Sequence, residues 1–164
     1  MGAVSNSPVT DLVLRDAPFD SPEAITLIAE LQQEYVTRYG GQDETPVEPG
    51  EFTPPAGLFV VAEVGGELAG CVGVREHAAG GEQCAEMKRM YVRPAFRRRG
   101  LARKLLSAAE QRAVVLGYRR LVLETGDQQP EAVSLYQNSG YRPHQNFGIY
   151  ADEAGSQYFA KDLV

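Results

Sequence analysis

The stretch that decides the fold lies in the middle of the chain, where residues 86–104 read Glu-Met-Lys-Arg-Met-Tyr-Val-Arg-Pro-Ala-Phe-Arg-Arg-Arg-Gly-Leu-Ala-Arg-Lys. A strand is predicted over 83–92, and Pro94 ends it because proline cannot donate to a sheet ladder. Residues 100–116 then place apolar side chains at helical spacing, and Gly117 terminates the helix. The sequence therefore predicts a strand, an arginine-rich turn and a helix in succession.

The flanking segments predict a single mixed α/β domain over residues 9–164, preceded by a loose tail over residues 1–8. Before the central stretch the pattern predicts a strand over 9–15, a helix from Pro22 to Gly40 capped by Asp20 or Ser21, a loop over 42–55, and strands over 58–64 and 67–76. After it the pattern predicts a strand over 120–124, a helix from Pro130 to Gly140, and one or two strands near Tyr141 and 157–161. Because the unit over 83–124 is a crossover, its two strands should be parallel in an otherwise mostly antiparallel sheet.

Composition excludes several classes of protein. The 164 residues carry 16 Lys+Arg against 22 Asp+Glu, a net charge of −6, which argues against a general nucleic-acid binder. No apolar run approaches the roughly 18 residues that span a bilayer, and no signal peptide is recognised, so a cytoplasmic location is expected. The two cysteines, Cys71 and Cys84, are expected to be free thiols, and no metal-ligand spacing is present.

Positive charge is concentrated in the central stretch. Eight of the sixteen basic residues fall within the 17 positions 88–104, and no Asp or Glu occurs between Glu86 and Glu110. The first N–H groups of a helix lack internal partners, and Gly100 and Ala102 leave room for an anion beside them. The arginines that could pair with phosphate there are Arg93, Arg97, Arg98, Arg99 and Arg103. The pattern indicates a pyrophosphate site, with a solvated arginine-rich helix entrance as the alternative.

Two motifs carry a resemblance to a known family. Arg97-x-x-Gly100-x-Ala102, directly after a strand ending Met-Tyr-Val, resembles the Q/R-x-x-G-x-G/A loop of the GNAT superfamily of acyl-CoA-dependent N-acyltransferases, with Ala102 where glycine is commoner. The segments 121–124 and 129–141 resemble the next strand and helix of that superfamily. The resemblance covers residues 9–163 in element order and is specific in the blocks 86–104 and 121–141.

The resemblance implies a fold, a donor and a place for that donor. The implied fold is a central mixed, mostly antiparallel sheet with helices on both faces. The implied co-substrate is acetyl-CoA, with no metal, lying in a slot that a bulge in the strand opens. The implied contacts, along the strand edge for the pantetheine arm and on the loop for the pyrophosphate, are Met90, Tyr91, Val92, Arg97, Arg98, Arg99, Gly100, Leu101, Ala102 and Arg103. Dimers are common in the family, which favours a homodimer.

Transfer to an amine needs a base, an oxyanion donor and an acid. An alkylammonium with a pKa near 10.4 is the free base in only about one molecule in 2,500 at pH 7. Glu86 is the predicted base, because it lies six residues before Val92 and so on the same face of an unbulged strand, and because histone-acetylating members of the superfamily have a glutamate at the matching place. A salt bridge to Lys88 or a neighbouring arginine is the alternative interpretation of Glu86.

The resemblance supplies the other two groups. The backbone N–H of Met90 is the implied oxyanion donor. Tyr136 matches the tyrosine of the Leu-Tyr-x-x-x-Gly-Tyr/Phe helix, which protonates the CoA sulfur in the superfamily, whereas Tyr141 is expected in the core. A packed aromatic on an amphipathic helix is the alternative for Tyr136.

Family members build the acceptor pocket from the first helix, the loop after it and the C-terminal strands. The residues those elements supply here are Glu34, Tyr35, Arg38 and Tyr39, followed by Asp43, Glu44, Phe147 and Tyr150. The expected function is acetyl transfer from acetyl-CoA to a primary amine, on a small molecule or a protein, by direct attack in a ternary complex. No nucleic-acid or membrane partner is expected. The alternative is a non-catalytic acyl-CoA-binding sensor.

Overall fold

The order of helices and strands follows the predicted one closely. The computed structural model describes residues 11–164, so the predicted tail and the start of the first predicted strand lie outside it. The elements are β1 (Leu12–Asp16), α1 (Pro22–Tyr39), β2 (Leu58–Val64), β3 (Glu67–Glu76), β4 (Cys84–Val92), α2 (Leu101–Val115), β5 (Arg120–Gly126), α3 (Pro130–Asn138), β6 (Arg142–Pro143) and β7 (Ser156–Asp162). Single 3₁₀ turns lie at Pro49–Phe52, Ala78–Gly80 and Pro94–Phe96.

Local sequence signals set the helix ends. The Ser21 hydroxyl accepts a hydrogen bond from the Ala24 N–H at 3.3 Å and caps α1, with Pro22 in the first turn. Gly40 ends that helix in the left-handed conformation, at φ 79°. Proline likewise opens α3, at Pro130. These residues confirm the predicted helix ends.

The seven-stranded sheet has the order β1-β2-β3-β4-β5-β7-β6 in the described part of the chain. Every neighbouring pair is antiparallel except β4 and β5, which are parallel. This confirms the predicted crossover and the mixed sheet. The parallel pairing is short, because it joins only Cys84–Glu86 to Arg120–Val122.

A bulge interrupts β4 in the middle. Along its pairing with β3, Cys71 faces Tyr91 but Gly73 faces Lys88, so β4 carries one extra residue. Arg89 takes the irregular conformation, at φ 58°. The structure therefore contains the bulge that the family resemblance implied.

The bulge inverts the alternation of side chains along β4. Met87 and Val92 both pack into the core on the α2 side, although they are five positions apart and would lie on opposite faces of a regular strand. Glu86, next to Met87, faces the opposite side and pairs with Arg75. The shared face of Glu86 and Val92 was predicted for an unbulged strand, and with the bulge present their side chains lie on opposite faces.

Helices cover both faces of the sheet, as predicted. One core cluster packs beneath α2 and α3, with the buried side chains of Leu101, Leu105, Tyr136 and Tyr141. The other packs beneath α1, around Leu27 and Leu31. Both cysteines are buried free thiols, which confirms that expectation. No helix within residues 11–164 is long and apolar enough to cross a membrane.

Candidate active site

A cleft opens where β4 and β5 separate. Beyond Glu86 and Val122 the two strands no longer pair, which leaves the β5-facing edge of β4 free over residues 87–92, about 20 Å of chain. The cleft has a volume of about 650 Å³, within the usual range for small-molecule sites. Its walls come from α1 and the loop after it, residues 87–90 of β4, residues 124–126 of β5, Tyr136 of α3 and the loop before β7.

The free edge of β4 leads to an uncapped helix N-terminus. Arg98 and Gly100 both have positive φ, 64° and 78°, and no side chain caps α2. Within residues 11–164 the N–H groups of 98–103 have no acceptor, since the first N–H with a carbonyl partner is that of Lys104, on Gly100 at 3.2 Å. Successive free N–H groups around left-handed residues form a concave anion site, which the helix dipole strengthens.

The arginines of this loop divide into two groups. The Arg97 guanidinium pairs with Glu34 and donates to the Val92 carbonyl at 2.9 Å, and Arg93 pairs with Glu30 at 2.7 Å. These two arginines tie the loop to α1. In the described chain Arg98, Arg99 and Arg103 form no ion pair, so their side chains remain available to an anion.

Two of the residues predicted to contact acetyl-CoA can do so only through their backbone. The side chain of Leu101 lies in the core, and Tyr91 packs beneath α1 with its hydroxyl donating to Glu30 at 3.2 Å. Each can therefore offer only main-chain groups at the cleft. Met90 follows the bulge residue, has no partner residue on β3 or β5, and lines the cleft. Its peptide group therefore lies at the irregular part of the β3–β4 pairing, beside the cleft.

Tyr136 reaches the cleft from α3. Its ring packs edge-on against Tyr141, with centroids 5.8 Å apart, and at a tilt against Phe159. Among residues 11–164 no hydrogen bond to its hydroxyl is found, and the residue lines the cleft. Burial, and then the charge of Glu124, raises the pKa of Tyr136 above the ordinary value. The hydroxyl therefore stays protonated at neutral pH and can donate a proton into the cleft.

Glu124 lies at the cleft on β5. Burial raises the pKa of its carboxyl, and the charge of Lys88 and a hydrogen bond from Ser156 only partly offset this. A carboxylate with a raised pKa is a better proton acceptor near neutral pH than an exposed one. Sequence reasoning missed this role, although a glutamate ending the apolar run Leu121–Leu123 was a visible signal.

Glu86 is held outside the cleft. Its Oε1 accepts a hydrogen bond from Arg75 Nε at 3.0 Å and lies 2.9 Å from Arg75 Nη2 in an ion pair. Glu86 is 5% exposed. It is not among the residues that line the cleft. The geometry favours the alternative interpretation of Glu86, a structural ion pair with a neighbouring arginine. Glu34 likewise lies in an ion pair rather than on the cleft wall.

Of the four predicted acceptor residues on α1, three line the cleft. Tyr35 is partly buried, and burial together with the charge of Asp43 raises its pKa. Arg38 pairs with Glu131 at 2.9 Å, and the Tyr39 hydroxyl accepts a hydrogen bond from Gln129 at 3.1 Å. These residues form the α1 wall of the cleft.

The loop after α1 closes one end of the cleft. The Tyr150 hydroxyl accepts a hydrogen bond from the Glu44 N–H at 2.7 Å. Asp43 accepts from both Lys88, at 3.0 Å, and Arg89. Phe147 packs against His77 and Tyr158 and does not line the cleft. No cluster of three or more metal-ligating side chains is found within residues 11–164.

Comparison with known proteins agrees with this geometry. Residues 25–141 match the model of the "Acetyltransferase (GNAT) family". An uncharacterised N-acetyltransferase of Schizosaccharomyces pombe is 36% identical over 129 residues, 76% of this chain and 78% of that protein.

Solved structures share the fold over nearly the whole chain. An acyl-CoA N-acyltransferase structure from Klebsiella pneumoniae superposes with a TM-score of 0.76 at 29% identity and covers 93% of this chain and 98% of the other. A GNAT family acetyltransferase from Elizabethkingia anophelis, solved with acetyl-CoA bound, gives a TM-score of 0.65 at 18% identity, again over 93% and 98% of the two chains. The family match spans most of the chain, and the cleft and loop fit it. The protein is therefore an acyltransferase that belongs to the acetyltransferase (GNAT) family.

Proposed function

We propose that the protein transfers an acetyl group from acetyl-CoA to a primary amine within a ternary complex. The observation that carries this proposal is the continuity of the free β4 edge with the uncapped amides of residues 98–103. A pantetheine arm can pair with that edge as an added strand, which brings the diphosphate to the free N–H groups. The acetyl-CoA bound to a neighbour of the same fold supports the same donor.

We place the base at Glu124 rather than Glu86. Glu124 lines the cleft and has a raised pKa, whereas Glu86 gives its Oε1 to Arg75. Glu124 takes a proton from the bound ammonium, and the nitrogen lone pair then attacks the thioester carbonyl. The Met90 N–H donates to the developing oxyanion, where a single such donor is worth roughly 10²–10³ in rate.

Tyr136 completes the transfer. As the C–N bond forms and the C–S bond breaks, its hydroxyl gives a proton to the leaving sulfur. The ammonium loses two protons in all. One is equivalent to the proton that the CoA thiol gains, and the other leaves to solvent. A hydroxyl whose pKa is raised by burial and by Glu124 is suited to this role because it is fully protonated beforehand.

The proposal is tested by donor binding followed by turnover. Acetyl-CoA at a hundredfold excess over Kd should stabilise the fold by about 2.7 kcal/mol, which raises Tm by roughly 5–10 °C for a domain of this size. ATP serves as the control, because it has the phosphates without the pantetheine arm. Amine-dependent release of CoA thiol should follow. Stabilisation by CoA without thiol release from any amine would instead identify a sensor.

A further inference from the structure

Two buried cations share one carboxylate at the floor of the cleft. Lys88 is 8% exposed and Arg89 is 5% exposed, yet both line the cleft. Consecutive strand residues normally point to opposite faces, but the bulge at Arg89 turns both side chains towards Asp43. Both cations bind the same oxygen, Oδ2 of Asp43.

Asp43 is held in place by its own hydrogen bonds, and its single carboxylate is shared by the two cations. Its other oxygen accepts the Thr45 N–H at 3.0 Å, and its own backbone N–H donates to Gln32 at 2.8 Å. The charges of Lys88 and Arg89 outweigh the effect of burial and hold the pKa of Asp43 well below its ordinary value. Asp43 is thus a permanent anion that the two cations share, and Glu124 on β5 is a second carboxyl of the same cleft, where burial raises the pKa and the charge of Lys88 lowers it in part.

The two cations have unused hydrogen-bond donors. Arg89 bonds Asp43 through Nη1, while its buried Nε has no partner in the described chain. The Nε–Nη2 edge is the side of a guanidinium that binds a carboxylate with two parallel hydrogen bonds. Lys88 has three ammonium protons and, among residues 11–164, one hydrogen-bond partner. Buried cations without full pairing are costly, so their retention at a cleft indicates a ligand anion.

We propose that the acceptor is a primary amine that also carries a carboxylate, an amino acid or a compound with the same two groups, and that Lys88 and Arg89 bind its carboxylate. This inference rests on the proposed function, since it names the substrate of the same site. The carboxylate binds on the β4 wall, beside the shared Asp43, and the amine faces Glu124 on the β5 wall. Lys88 and Arg89 are specificity residues in this arrangement and take no part in proton transfer.

The experiment compares matched acceptors. CoA release is measured with the common L-amino acids and with the carboxamide of each, at fixed acetyl-CoA. The amine of a carboxamide is the weaker base and is deprotonated to a larger extent, so reactivity alone favours the carboxamide. The inference predicts the opposite order, with at least one amino acid giving a kcat/KM tenfold or more above that of its carboxamide. No amino acid exceeding its carboxamide would overturn it.

Substitutions of Lys88 test whether this residue causes the preference for an amino acid over its carboxamide. Lys88→Met keeps the aliphatic stem and leaves Asp43 paired with Arg89, and it should lower kcat/KM for the preferred amino acid by about 10- to 100-fold, the value of one charged hydrogen bond. Because the charge of Lys88 also partly offsets the burial that raises the pKa of Glu124, both acceptors should share part of the loss, so the test is the ratio of kcat/KM for the amino acid to kcat/KM for its carboxamide. That ratio should fall by about tenfold or more in Lys88→Met, and Lys88→Arg should retain it. Arg112→Gln, which removes an exposed ion pair with Asp16, is the matched control. Equal losses for both acceptors would contradict the assignment.

The two proposals fail in distinguishable ways. Acetyl-CoA binding is measured by calorimetry on every variant, and Tm confirms that each is folded. Intact donor binding with equal or better use of simple alkylamines would overturn the carboxylate inference and leave the acetyltransferase proposal standing. Failure to bind acetyl-CoA would overturn the proposed function itself.

Discussion

Two tyrosines of one motif should separate catalysis from stability. Tyr136 and Tyr141 pack against each other with ring centroids 5.8 Å apart, and each can be changed to Phe by removing a single hydroxyl. Their hydroxyls differ in environment. The Tyr141 hydroxyl donates to Glu110 at 2.9 Å, whereas that of Tyr136 has no partner among the described residues and reaches the cleft.

The structure sets the magnitude of each change. Tyr136→Phe breaks no hydrogen bond, so the free energy of unfolding should move by less than about 0.5 kcal/mol, while loss of the general acid should lower kcat by about 10²–10⁴. Tyr141→Phe loses a hydrogen bond to a charged group, worth about 1.5–3 kcal/mol. The lower end applies because Lys161 still binds Glu110 at 3.1 Å. A Tm lower by roughly 3–6 °C follows for a domain of this size.

The assay pairs steady-state CoA release with thermal unfolding of both variants. Tyr136→Phe is expected to lose kcat, to keep its KM for acetyl-CoA and to keep its Tm. Tyr141→Phe should show the reverse at a temperature where it is folded. If Tyr136→Phe retains its kcat, or if the two variants lose activity in proportion to their lost stability, the assignment of Tyr136 as the acid is wrong.

Further predictions concern the carboxylates and the loop. Glu124→Gln should lower kcat by about 10²–10⁴ yet raise Tm at neutral pH, because a carboxyl with a raised pKa destabilises the fold when it is ionised. Glu86→Gln should instead lower Tm, because it breaks the ion pair with Arg75. A catalytic loss confined to Glu86→Gln would contradict the assignment of Glu124 as the base. Gly100→Ala should raise the KM for acetyl-CoA and lower stability by about 1 kcal/mol, because Gly100 has a φ of 78° and lies at the proposed diphosphate site. Calorimetry of donor binding and urea unfolding measure the two effects. Asp43→Asn should cost about 3–5 kcal/mol above pH 5 by leaving buried cations unpaired. Since the Asp43 pKa is depressed, the stability gap should narrow as pH falls below about 4, and a gap independent of pH would be inconsistent with that ion pair.

The element order could be predicted because its signals are local. Pro22, Gly40, Pro94 and Pro130 stand at or next to element ends, and each acts on its own stretch of backbone. The arginine-rich loop and uncapped helix start were predictable for the same reason, since the charge cluster, Gly100 and the helix start are contiguous in sequence.

The electrostatics of the cleft could not be predicted from local patterns. Arginine has no preference for positive φ, so nothing in the sequence marks Arg89 as the bulge residue. The bulge in turn decides which side chains meet Asp43, 45 residues away from Lys88. Glu86 was expected in the site because the alternation was counted through an unbroken strand. Contacts between distant residues depend on which face of the sheet each side chain occupies, and one inserted residue exchanges the two faces for the rest of the strand.

Amide resonances report on the central claim directly. In ¹⁵N-labelled protein titrated with CoA, the N–H signals of residues 98–103 should shift as they bind the diphosphate. Titration with pantetheine, which lacks the diphosphate, should move the signals of residues 90–92 along the β4 edge and leave those of 98–103 in place. If CoA leaves residues 98–103 unperturbed, or if pantetheine shifts them equally, the loop does not bind the diphosphate and the account of this cleft is wrong.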